Sequence, residues 1–377
     1  MKKFYILTSL GIALSSFALG EGVIADENLN YVFKPGEDGY HTYRIPAIVK
    51  TKAGTLLAFA EGRVNNWGDH GDIDLVAKRS TDGGKTWSKL ILVRDDEKKT
   101  CGNPAPVVDT KTGTIYLISC GSAGSEGENM SGKKPREVYI QQSTNDGKTW
   151  SKARKITTQA KKDDWGWFAT GPCNAIQIQE GKYKGRIVVP SNMSEKNEEG
   201  KPIYRGSCFY SDDLGKTWKI GETARDGCNE STMAEAAPGV LVQNFRMQNH
   251  GNGRRTQRFS SDGGATWTPA ERVEDLYCCV CQGSIVRDYS KPNLMYFSNP
   301  SKYGRNELKL RASQDGGKTW PLEIPVYDKR SGYSNVVVPD SATVGVLFEG
   351  GVNNISAGIA YKSFKKSEFV KRDDEKK

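Results

Sequence analysis

The stretch "STDGGKTW" at residues 80–87 returns as "STNDGKTW" (143–150), "SDDLGKTW" (211–218), "SSDGGATW" (260–267) and "SQDGGKTW" (313–320). The copies start 63, 68, 49 and 53 residues apart, and periods of this size signal a solenoid, a propeller or an array. Between them lie short alternating or β-branched runs such as "TLLAFAEGR", "GTIYLISC", "YKGRIVVP" and "PGVLVQNFR", divided by Gly, Pro, Asn and Asp turns. No long stretch has helical period, so the chain is expected to be all-β. Four strands with their loops need about fifty residues, which fits one propeller blade per interval.

The octapeptide itself has a mechanical reading. Its Asp can accept bonds from backbone N–H groups of its own turn while Gly takes the positive φ, closing a hairpin. The Trp offers a large ring to bury against a neighbouring sheet. Asn145 replaces Asp in the second copy, which a turn cap tolerates and an acid/base group would not. The repeat is therefore expected to be frame, with the chemistry on unrepeated residues.

Bulk properties narrow the classes. Lys2 and Lys3 precede an apolar run, "FYILTSLGIALSSFALG", in the layout of a secretory signal peptide. Residues 1–25 are read as that signal, 26–365 as the propeller and 366–377 as a charged, solvated tail. Export to the periplasm, the surface or the medium is expected, and no other segment is apolar enough to span a membrane. The formal charge is +9, but the basic residues are dispersed, which argues against nucleic acid as partner. The eight cysteines suit disulfides or buried thiols. "CCVC" at 278–281 lacks the spaced Cys and His ligands of a metal site, so neither metal nor cofactor is expected, and nothing in the sequence calls for more than a monomer.

The Ser-x-Asp-x-Gly-x-Thr-Trp pattern resembles the Asp-box of sialidases and related propellers, and "YRIP" (43–46) resembles the start of a bacterial exo-sialidase. The resemblance implies a six-bladed propeller with five Asp-box hairpins and a sixth blade closed by both ends of the chain. It also implies a site. Arg44 of "YRIP", Arg246 of "NFRMQ" and Arg305 of "YGRNE" become three arginines that grip a substrate carboxylate, the last two from equivalent places in different blades. Arg63 becomes a further pocket arginine. Asp69 becomes the acid/base, with Asp72 and Asp74 as rivals. Glu230 of "CNEST" and Tyr333 of "SGYSNV" become the base and nucleophile, and Glu349 of "LFEGG" the carboxylate that orients Arg44. Trp165 and Trp167, with Phe168, are candidate pocket walls, and Trp67 and Asn103 are further candidates.

The reaction that the resemblance implies is hydrolysis of terminal α-linked sialic acids from glycoproteins, gangliosides or oligosaccharides, and these residue types suit it. Three guanidinium groups orient a carboxylate through paired charge-assisted bonds. A carboxylate nucleophile would be repelled by the substrate's own carboxylate, whereas a neutral phenol would not, and sialidases are the glycosidases that use Tyr. A phenol needs a base, and the acid/base role favours a raised pKa on Asp69. Transfer to another sugar or within the substrate, and a non-catalytic glycan-binding propeller, are the alternatives.

Overall fold

The computed structural model describes residues 22–248, 253–302 and 304–372; the predicted signal segment thus lies almost wholly outside the described residues. The strands form six antiparallel units of four, counted among the described residues. Thr42–Lys50, Leu56–Arg63, Ile73–Ser80 and Ile91–Arg94 make the first; Thr100–Val108, Ile115–Ser122, Glu137–Ser143 and Arg154–Lys155 the second. In the third, Phe168–Thr170 and Ile176–Gln177 together form a split inner strand beside Ile187–Lys196, Pro202–Ser211 and Lys219–Ile220. Cys228–Ala237, Val240–Met247, Arg254–Ser260 and Glu271–Tyr277 make the fourth.

The long strand Leu322–Val337 serves two units. Its first half completes the fifth beside Ser284–Arg287, Met295–Lys302 and Asn306–Ser313. Its second half opens the sixth, which continues through Thr343–Gly351 and Ile359–Lys365 and ends with Tyr31–Phe33 from the other end of the chain. The units pack in cyclic order, Thr42–Lys50 touching both Thr100–Val108 and Leu322–Val337, so the ring closes. We read the six units as the expected blades.

The apolar cores lie between units. Each octapeptide sits after the third strand of a unit, and its Trp reaches a neighbour or its own sheet: Trp87 meets Tyr361 edge-on, Trp150 meets Phe59, and Trp320 meets Phe297. Within the first copy, Asp82 accepts from the N–H groups of Lys85 and Thr86 and from the Thr86 hydroxyl, and Ser80 Oγ accepts from Gly84 N at 2.8 Å. The other four copies repeat the Ser-to-Gly bond and the cap on Thr. At Gly84, φ is +89° and a Cβ would stand 2.2 Å from Tyr361, so the turn requires glycine. The sixth unit needs no such hairpin because its fourth strand comes from the N-terminal end.

One boundary is corrected. Residues 366–372, expected in the solvated tail, dock on the ring. Val370–Lys371 pairs with Leu322 and Glu323, Phe369 stacks on Tyr296, and Arg372 bridges to Asp275. Phe369, the apolar ring inside the charged stretch, supplies the packing contact, while the exposed Val370 is held by backbone pairing. All eight cysteines are free and buried, which decides between the two readings left open for them.

Candidate active site

Strand direction fixes which end of each unit can hold the chemistry. In the first unit, Arg44 lies level with Glu61, whereas Lys50, Leu56 and Ser80 share the opposite end. The octapeptides and the arginines therefore occupy opposite ends of the same strands.

At the arginine end the inner strands are irregular. Register breaks fall between Arg44 and Ala47, Gly102 and Ala105, Cys228 and Ser231, and Ser331 and Ser334. A bulge re-aims the side chains it carries, and these four hold Arg44, Asn103, Glu230 and Tyr333. All four line one cavity of about 540 Å³ with Arg63, Asp69, Arg246 and Arg305. Arg246 stands on a second strand and Arg305 in the turn before a third. The expectation of equivalent blade positions is corrected: they share an end of the ring, not a strand.

Tyr333 is the centre. Its hydroxyl donates to Glu230 Oε1 at 2.5 Å and accepts from Arg246 Nη1 at 3.1 Å. The guanidinium carbons of Arg44 and Arg305 lie 5.2 and 5.6 Å from its ring centre. Burial and the Glu230 charge push the phenol well above its ordinary pKa, and the pull of the three arginines does not cancel them. Tyr333 is thus held as a neutral phenol with an acceptor already in place.

Two buried carboxylates fasten this end. Glu349 accepts from Arg44 Nε at 3.0 Å and Nη2 at 3.1 Å, and also from the backbone N–H groups of Ile45 and Tyr333. It ties two bulges together and holds Ile45 at a φ of 58°, a costly conformation for a β-branched residue. Glu61, which sequence reasoning missed, repeats the device: it accepts from Arg63 Nη2 at 2.7 Å and from Asn103 N at 2.9 Å. The signal was there, since Glu61 and Arg63 are two apart on one strand and so share a face. Arg136 was also missed; it is buried, donates to Asn103 Oδ1 at 2.5 Å and lies over the Trp167 ring at 4.0 Å.

Asp69 Oδ1 lies 2.8 Å from Arg63 Nη2 and 3.5 Å from Arg44 Nη1, while neither Asp72 nor Asp74 lines the cavity. The expected raised pKa is corrected. Desolvation raises it, but Arg63 and Arg44 outweigh that, and the carboxyl is held below its ordinary value. The aspartate pushed up, to about 6, is Asp74, through burial, but it bonds the Tyr40 hydroxyl away from the cavity. Trp167 lines the cavity. Trp165 does not: it stacks on Phe168 at 6.1 Å inside the core between the second and third units, so both are corrected to packing residues.

The architecture is the all-β sialidase fold. Residues 54–346 match the family model described as BNR repeat-like domain. The solved Hadza microbial sialidase Hz136 superposes with a TM-score of 0.81 at 31% identity, covering 90% of this chain and 69% of that one. An intramolecular trans-sialidase from Ruminococcus gnavus shares the fold, with a TM-score of 0.75 at 18% identity and cover of 92% and 99%. A sialidase of Bacteroides fragilis (strain YCH46) is 32% identical over 363 residues, which is 89% of this chain; the chain spans 64% of that protein's length. The chain belongs to the BNR-repeat sialidase family.

Proposed function

We propose that the protein is an exported exo-α-sialidase that releases terminal α-linked sialic acids with retention of configuration. The observation that carries this is the Tyr333–Glu230 hydrogen bond set among three arginines. Arg44, Arg246 and Arg305 bind the substrate carboxylate and so fix the sugar ring with its anomeric carbon toward Tyr333. The Tyr333 oxygen bonds the anomeric carbon as the glycosidic C–O bond breaks, Asp69 gives its proton to the departing oxygen so that the aglycone leaves as an alcohol, and Glu230 takes the phenolic proton. Water then attacks the anomeric carbon and breaks its bond to the Tyr333 oxygen, Asp69 takes the water's proton, and the phenoxide recovers its proton from Glu230.

The low pKa of Asp69 fits this order. A carboxylate bound by Arg44 offsets the positive charge that holds Asp69 ionised, and the sugar displaces water from it, so both changes raise its pKa once substrate is present. Asp69 is also the most open of the proposed catalytic groups, with its side chain 73% exposed. That leaves a path for water to reach it. The test is NMR of the first product from a sialoside: the α-anomer of free sialic acid supports the reading, and an anhydro sugar, a transferred product or no turnover sinks it.

A further inference from the structure

Of the eight tryptophans, only Trp67 is exposed, at 69%. The others sit in the box turns, the inter-unit core or the cavity wall. An indole carries 150–250 Å² of largely apolar surface, and leaving it in water two residues from the proposed acid calls for a partner. The surrounding backbone holds it outward. Gly68 N donates to Asn66 Oδ1 at 2.7 Å, which makes Trp67 the middle of a tight turn, and the Trp67 carbonyl accepts from Arg63 Nη1 at 2.6 Å. Val64 N bonds Asp72 O at 3.1 Å and closes the loop at its base. Arg63 also holds Asp69, so one guanidinium fixes both the acid and the turn that presents the indole.

We propose that Trp67 is a stacking platform for the sugar that precedes the terminal sialic acid, and so a specificity-determining residue; this rests on the hydrolase reading of the site. The acid marks the glycosidic oxygen, and the leaving sugar begins on its far side. Gly68, Asp69 and His70 line the cavity and Trp67 does not, which corrects its expected place in the pocket wall; with its Cα at most about 7 Å from that of Asp69 by chain length, the indole is assigned to the leaving sugar outside the cavity. A pyranose with an apolar face fits, a galactoside among them, because one face of that ring presents C–H groups at carbons 3, 4 and 5 to an aromatic plane. The exposed Asn65 and His70 supply a polar rim for its hydroxyls.

The experiment compares α2,3-sialyllactose with methyl α-sialoside, which has the same scissile bond and no second sugar. Trp67→Ala should lose roughly five- to tenfold in kcat/KM on sialyllactose, mainly through KM, and nothing on the methyl sialoside, with Trp67→Phe recovering part of the loss. Equal losses on both substrates, or none on sialyllactose, overturn the platform. If the unaltered protein turns over neither, the hydrolase reading fails by itself, and calorimetry then judges the platform. In that case Trp67→Ala must weaken binding of sialyllactose and spare the methyl sialoside; any other pattern overturns it.

Discussion

At one end of the ring, five hairpins repeat the same bonds between Ser, Asp or Asn, Gly and Thr. At the other end, four inner strands break register, and each break carries a different residue: Arg44, Asn103, Glu230 and Tyr333. The strands are the same and the rules are opposite. Regular pairing with a repeated cap sets the spacing between units, while an irregular strand end lets unlike side chains turn toward one axis. Glu349 and Glu61 make the irregular end rigid, since each binds an arginine and the backbone of a neighbouring bulge.

The sharpest way to break the comparison is Glu349→Gln. It should cost about 3 kcal/mol of stability, because Arg44 loses a buried partner, and about a hundredfold in kcat/KM, because Arg44 and Tyr333 lose their common anchor. Denaturant unfolding and steady-state kinetics check both; a variant that loses stability alone would separate Glu349 from the chemistry. At the boxed end the pattern reverses. Gly84→Ala should cost roughly 2–3 kcal/mol through its positive φ and its clash with Tyr361, yet leave kcat/KM per folded molecule unchanged.

A smaller effect concerns pH. In the free protein Asp69 is held below its ordinary pKa by Arg63 and Arg44, against desolvation. The limb for loss of its proton should therefore fall at lower pH in kcat/KM, which reports free enzyme, than in kcat, which reports the substrate complex. Coincident limbs would remove Asp69 from the acid role. The smallest effect is at the boxes. At Asp213, desolvation is outweighed by the Thr217 and Ser211 bonds, which hold its pKa down to about 2. Its folded pKa is depressed, so its stabilisation is present above the ordinary carboxylate range and is lost as pH falls through about 2. The melting-temperature difference between the parent and Asp213→Asn should shrink across that window, and a constant difference would contradict the cap.

Much of this was legible in the chain. The repeat spacing gave the sheet units; "YRIP", "CNEST" and "SGYSNV" pointed to residues that meet in one cavity, and "LFEGG" to the buried carboxylate that holds Arg44 there. The bulges were not legible, because a register break depends on which strand pairs with which, and no local pattern reveals it. Trp165 and Trp167 look alike in "DDWGWFAT", but strand pairing begins only at Phe168, so alternation could not sort the core ring from the cavity ring. The Asp69 pKa is a balance between desolvation and two guanidinium groups, and its sign required the assembled site. Phe369 was hidden in a charge-rich run whose composition reads as tail.

The most direct test of the account is to trap the intermediate with a sialosyl fluoride and map it by peptide mass spectrometry. The account predicts one sialyl group on the peptide containing Tyr333, and its loss in Tyr333→Phe. Turnover without any adduct at Tyr333, or a label on Glu230 instead, would contradict it.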